Sequence, residues 1–278
     1  MGGYTKSFIL LATLTCFFVG IGFLFAGPTG GLIAFVIACA MNIFAWWNSD
    51  KIVLKLYKAQ PLTADQNNDY YAVTKQMVDD AGMPMPKLYI IDNPQPNAFA
   101  TGRNPKNGAV AITTGLIERL NFQEVTAVIA HELAHIKNRD TLIMTITATL
   151  AGAISMIANF AMFMGRRNRN APMGMIGVLV VSILAPLAAT MVQMAISRSR
   201  EFEADRIGAE ICGRPLWLAS ALEKIAGKAA VIDNNTAESN PATAHMFIIN
   251  PLHVHAIDGL FSTHPKTEDR VKRLKSMV

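Results

Sequence analysis

Three long stretches of the chain carry no charged side chain: Phe8–Trp47, Thr141–Gly165 and Asn170–Ser197. Runs of that length confine a chain to a very large apolar core or to contact with lipid, and a spanning helix needs roughly 20 apolar residues. The composition agrees, with 51% hydrophobic and only 16% charged residues and a mean hydropathy of +0.29. The first stretch is broken by "AGPTGG" at Ala26–Gly31, so it reads as two helices and a tight turn. Four hydrophobic helices are expected, at 8–26, 31–47, 142–164 and 174–196. Lys6 and the apolar run after it have the outline of a signal peptide. No small-x-small cleavage site precedes the turn, however, and a second apolar run follows at once, so a retained hairpin is expected.

Lys6 precedes this hairpin, and Lys51, Lys55 and Lys58 follow it. By the positive-inside rule both of its ends are cytoplasmic, which puts segment 48–140 in the cytosol. The chain after Ser197 joins it there if the second pair of helices is also a hairpin. The connector "GRRNRN" (Gly165–Asn170) disagrees, because this topology puts three arginines outside. Thr145, Thr147, Thr149, Ser155 and Asn159 also make the third helix polar for a lipid-facing one, so they are expected to face neighbouring helices or a cavity. The net charge of +5 suits anionic lipid headgroups, and no basic motif with interleaved aromatics points to nucleic acid. Cys16, Cys39 and Cys212 are too few and odd in number for a disulfide framework.

The polar segment reads as a helix at 61–83, capped by Thr63 with Gln66 and closed by Gly82 and Pro84, then three strands: Lys87–Asp92, Asn97–Gly102 and Gly108–Thr113. Asn121 with Glu124 has capping-box spacing for the next helix, whose buried side carries Val125, Val128, Ile129, Leu133 and Ile136. "DNNTAESNPATAH" (Asp233–His245) reads as a mobile loop, and His245, His253 and His255 read as surface residues.

That next helix contains "HELAH". His131 and His135 are four residues apart, so they share a helical face and can offer two imidazoles to one ion. Glu132 is offset around the helix, where a carboxylate reaches a metal-bound water rather than the metal, the placement of a general base. Chance is a poor explanation: with 6 His and 9 Glu in 278 residues, roughly 0.004 such matches are expected. A catalytic zinc takes a third protein ligand and keeps one position open. "SRSREFEADRIGAE" (Ser197–Glu210) offers Glu201 and Asp205 on one helical face, with Glu203 pointing away. Glu201 is the expected third ligand, and Asp205 the acceptor that fixes an imidazole tautomer. The plainer alternative is a solvated helix face balanced by Arg198, Arg200 and Arg206.

In four pieces the chain resembles the HtpX-type membrane metallopeptidases, relatives of the CAAX prenyl proteases: "PNAFATG", "HELAH", "SRSREFEAD" and "STHPKTEDRVKRL" (Ser262–Leu274). Their order and the hydrophobic layout match as well. The resemblance implies a mainly α integral membrane protein with four hydrophobic helices and a cytoplasmic zincin-like α+β metallopeptidase domain. It implies one zinc per chain held by His131, His135 and Glu201, with Glu132 as base. His264 and Arg270 are implied to stabilise the oxyanion or bind substrate backbone, and Asn97, Ala98, Phe99 and Ala100 to pair with substrate as an added strand. Lys266 stands where the family commonly has a second proline, which touches substrate detail more than activity. "STHP" also reads as a plain helix start, with Thr263 as cap, Pro265 in the first turn, and Val271 and Leu274 buried.

The expected organisation is a transmembrane hairpin (1–47), a cytoplasmic part with the sheet and the histidine helix (48–140), a second hairpin (141–197) and a cytoplasmic part completing the site (198–278). The expected activity is zinc-dependent cleavage of misfolded membrane proteins in a bacterial cytoplasmic membrane under stress. Three other readings compete with this one. A CAAX-type processing protease needs more membrane segments. A scaffold with structural zinc needs a fourth ligand, from His264, His253 or His255. A metal transporter places its ligands inside spanning helices.

Overall fold

The computed structural model describes residues 3–63, 69–148, 198–229, 231–252 and 265–278. Helix α1 (Gly3–Leu56) bends back on itself at Ala26 and Gly27, and Gly27 has φ 58°. A left-handed backbone of this kind suits glycine alone. The two arms pack antiparallel and very close: a Cβ on Gly22 would lie 2.4 Å from the Gly30 carbonyl oxygen, and Asn42 Nδ2 donates to Thr15 Oγ1 at 2.9 Å. Among the described residues, only Ala26–Asn48 is long and apolar enough to cross a membrane. It leaves Leu32, Phe35, Val36, Ile43 and Phe44 exposed. The second arm runs past its expected end at 47, because Val53 and Leu54 are buried in an apolar cluster with Phe99 and Ala111 of the sheet. Of the second expected hairpin, 149–197 lies outside the described residues.

A four-stranded sheet follows, with β1 (Gln60–Leu62), β2 (Lys87–Ile91), β3 (Ala98–Thr101) and β4 (Ala109–Thr113) in the order β1-β2-β4-β3. Only β2 and β4 are parallel, and β3 is an antiparallel edge. The helix expected from residue 61 is corrected: Gln60–Leu62 is a strand against β2, and the helix is α2 (Asp69–Asp80). Pro61 lacks an N–H, which an edge strand tolerates.

Helix α3 (Thr114–Arg119) leads to α4 (Phe122–Lys137). Its start is the capping box seen in the sequence: the Glu124 main-chain N–H donates to Asn121 Oδ1 at 2.9 Å, and the Asn121 N–H donates to Glu124 Oε2 at 3.0 Å. A further helical run (140–148), α5, follows the Asn138–Arg139 turn. Thr141 and Thr145 face the sheet rather than lipid. Thr141 Oγ1 donates to the Gly102 carbonyl at 2.9 Å, and the Thr145 and Thr101 hydroxyls are 2.9 Å apart. Then come α6 (Arg198–Cys212), α7 (Pro215–Ala229), α8 (Asn235–Ser239), a 3₁₀ turn (Pro241–Met246) and α9 (Thr267–Lys275).

The segment expected to be mobile, Asp233–His245, is instead tied down. Buried Asn234 caps α8 through Ala237 N–H at 3.1 Å and donates to Gln95 Oε1 at 3.1 Å. His245 is buried, not on the surface, with Nε2 3.0 Å from the Met144 carbonyl oxygen. Helix α9 starts at Thr267 after Lys266, with no side-chain cap, so Pro265 precedes the helix rather than lying in its first turn. Val271 and Leu274 are buried as expected.

Helices α4 and α6 pack at close range. A Cβ on Gly208 would fall 2.8 Å from His131 Cα and 2.9 Å from its nitrogen, so only glycine lets α6 reach the histidine helix. Gly208→Ala is expected to cost about 1–3 kcal/mol by overpacking, read as a fall in Tm. Gly227→Ala, whose Cβ meets nothing within 4 Å in α7, is expected to be neutral or stabilising by up to about 1 kcal/mol.

Candidate metal centre

Helix α4 presents His131 and His135 one turn apart, and α6 brings Glu201 against them. One donor atom from each lies within 4.8 Å of the others, and all three side chains are buried. His131 Nε2 is 3.8 Å from Glu201 Oε2, and His135 Nε2 is 3.5 Å from Glu201 Oε1. The rings stand nearly perpendicular, at 89°. Two imidazoles and one carboxylate, three donors in all, are a set that suits zinc with a position left for water or substrate.

Each histidine turns its other nitrogen to a carboxylate. His131 Nδ1 is 3.0 Å from Asp205 Oδ1, and His135 Nδ1 is 3.4 Å from Asp140 Oδ2. Such partners fix which nitrogen is left for an ion. The Asp205 contact matches the sequence expectation. Asp140 was missed, because it lies beyond the turn that ends α4 and shares no helical period with the motif. Arg200 Nε backs it at 3.6 Å from Oδ1.

Asp205 is gripped from its far side. Arg270, on α9 and 2% exposed, donates through Nε to Oδ2 at 2.8 Å and through Nη2 to Oδ1 at 2.7 Å. Its Nη1 donates to the Ile248 carbonyl at 2.9 Å. Burial would raise the Asp205 carboxyl, but Arg270 and His131 hold it down at about 2. Arg270, expected to stabilise the oxyanion or bind substrate backbone, also faces the cluster itself, with Nη2 3.5 Å from His131 Nε2 and Nη1 3.6 Å from Glu201 Oε2. His264 lies outside the described residues, as do His253 and His255. Glu203 points away, as expected, and pairs on the surface with Arg206.

Glu132 is 1% exposed, and its Oε2 has no hydrogen-bond partner among the described residues. Burial, with Glu201 nearby, pushes its carboxyl up to about 8, against the pull of His135, Arg270 and the Ala100 N–H. His135 goes to about 9: burial lowers it, but Asp140, Glu201 and Glu132 outweigh that. A dry carboxylate stacked among carboxylates and imidazoles is the environment a dication relieves.

Asn97, Ala98, Phe99 and Ala100, expected to pair with substrate, reach the site through the Ala100 N–H beside Glu132, but their outer edge is partly covered. Ile248 N–H donates to the Ala98 carbonyl at 3.0 Å, and Phe99 bridges Phe247 antiparallel. The chain's own residues occupy part of the edge that the sequence reading left for substrate.

The model of peptidase family M48 matches residues 61–278, which holds every residue of this cluster. The chain belongs to peptidase family M48. Within the matched region, His131, His135 and Glu201 form a cluster that could hold a metal ion. Its fold is also like that of the crystal structure of S. mikatae Ste24p, with a TM-score of 0.52 and 19% identity over 97% of this chain. The M48 chain spans 64% of the length of that protein.

Asp205→Asn is expected to weaken zinc binding by about 10–100-fold. By leaving Arg270 buried beside a neutral partner it should also destabilise the fold by about 3–5 kcal/mol. Competition with a chelating dye and thermal unfolding check the two effects. Glu203→Gln, on the exposed face of the same helix, should move stability by no more than about 0.5 kcal/mol.

Proposed function

We propose that this chain is a membrane-bound zinc endopeptidase of the HtpX type. The observation that carries the reading is the convergence of His131, His135 and Glu201 on one buried point, with the dry Glu132 carboxyl beside it. Zinc, one per chain, would be held by those three side chains, and when bound it supplies a Lewis acid for water and for the scissile carbonyl. Glu132 takes the proton of the attacking water and delivers it to the leaving amine, a role that suits a carboxyl raised toward neutral pH. Asp205 and Asp140 hold the two imidazoles in register. Arg270 holds Asp205, which makes it a positioning residue. His264 is proposed as an oxyanion partner on the family resemblance alone.

Membrane residence is supported by the exposed apolar flank of Ala26–Asn48. Arg103, two residues beyond β3, stacks its guanidinium 4.4 Å from the Trp47 ring centre and donates to the Trp47 carbonyl at 3.2 Å. This ties the catalytic sheet to the end of the apolar helix. With Lys51, Lys55 and Lys58 just after that helix, we place the site on the cytoplasmic side of a bacterial inner membrane. The proposed division is two hydrophobic hairpins, 1–47 and 141–197, each followed by a cytoplasmic part. The proposed substrates are unfolded or damaged membrane polypeptides, cut as part of protein quality control.

Glu132→Gln in liposomes is expected to keep zinc near one per chain and to lose cleavage of an unfolded casein-like substrate by at least about 100-fold. Chelation should abolish cleavage by the intact chain, and added zinc should restore it. Persistent cleavage by the mutant overturns the assignment of the base.

A further inference from the structure

The outer edge of β3 is where a peptidase of this design would pair its substrate as an added strand, a mode that needs a free row of main-chain groups. Here part of the row is taken by the Met246–Ile249 segment. Ile248 N–H donates to the Ala98 carbonyl at 3.0 Å, and Phe99 and Phe247 bridge antiparallel. Asn97 clamps the next peptide unit with both ends of its amide: Nδ2 donates to the Ile249 carbonyl at 2.9 Å, and Oδ1 accepts from Ile249 N–H at 3.4 Å. Arg270 Nη1 takes the Ile248 carbonyl at 2.9 Å.

Each of these contacts is to main chain, so none depends on which residues the segment carries. The one side-chain feature is apolar and aromatic. Phe247 packs edge-on against Phe99 and Tyr57, both with ring centres 5.2 Å away. A foreign peptide could use every one of these groups without altering them. The exchange would also cost little, because each hydrogen bond given up by the segment is replaced by one to the peptide. The other side of β3 is different: four registered pairs fix it to β4, whereas a single bridge joins it to this segment.

We propose that Met246–Ile249 is an internal substitute for substrate, and that an extended apolar peptide with an aromatic side chain in the Phe247 position binds by replacing it. The inference rests on the peptidase reading above and deepens it. It assigns the substrate class as extended apolar segments, which a folded soluble protein keeps buried. It also gives the fold a resting form with its substrate edge partly closed. Asn97 and Arg270 are then the groups that hold the substrate backbone.

The test is a reversible lock. Bridge partners in an antiparallel pair have the Cα spacing that a disulfide requires. Phe99→Cys with Phe247→Cys, in a chain whose Cys16, Cys39 and Cys212 are changed to Ala, is loaded with zinc and oxidised. The oxidised form is expected to cleave a phenylalanine-containing apolar peptide at least ten times more slowly than the same protein after phosphine reduction. Equal rates overturn the proposal. Should the double substitution abolish activity in both forms, hydrogen exchange of the unmodified zinc enzyme decides. A phenylalanyl peptide hydroxamate should raise exchange of the Ile248 and Ile249 amides at least tenfold, and unchanged protection of these amides overturns the proposal. Failure of the unmodified zinc enzyme to cleave any peptide would instead sink the peptidase reading, and the proposal with it.

Discussion

The buried pair of Asp205 and Arg270 holds the site together. Four pieces of chain meet at it: α4 through His131, α6 through Asp205, α9 through Arg270, and the 246–249 segment through the Ile248 carbonyl. A charge pair taken out of water gives little net stability, but breaking one leaves a stranded charge and is costly. Its effect here is on geometry. The bidentate fork fixes the plane of the Asp205 carboxylate, and that carboxylate sets the orientation of the His131 ring. His135 has a looser counterpart in Asp140 and Arg200, at longer distances. The two histidines of α4 are therefore held with unequal stiffness.

Local signals in the sequence translated well. The Asn121–Glu124 box, the three longer strands and the shared face of His131 and His135 each depend on neighbours a few residues away. Gly208 is different: its sequence context gives no hint that the His131 backbone will sit where its side chain would be. β1 was lost inside a predicted helix because three residues containing a proline carry no period. The occupied edge of β3 was also out of reach, because residues 99 and 247 are far apart in the chain and "MFII" has no alternation to mark a strand. The Asp233–His245 segment looked mobile from its composition, yet Asn234 uses the very side chain that suggested a loop to cap a helix.

Arg270 is the instructive case. In "TEDRVKRLK" it has three basic neighbours, and composition does not separate it from Lys272 or Arg273. Helical spacing does, because positions 270, 271 and 274 share one face and Val271 and Leu274 are apolar. A lone arginine on a buried face needs a partner, and the structure supplies it in Asp205, from a helix some 65 residues away. The threonines of α5 hold a similar lesson. Their polarity in an apolar run was legible, but their partners, Thr101 and the Gly102 carbonyl, lie on a strand that ends some 40 residues earlier.

Glu201 lies 66 residues after His135, on the far side of the long uncharged stretches. An ion shared by these residues ties off a very large loop. In the unfolded chain, bringing its ends together costs on the order of 4 kcal/mol of chain entropy. Metal binding is in this sense a staple applied after the intervening segments have found their places. During biosynthesis the two histidines emerge 66 residues before Glu201, so the three-donor cluster is completed late.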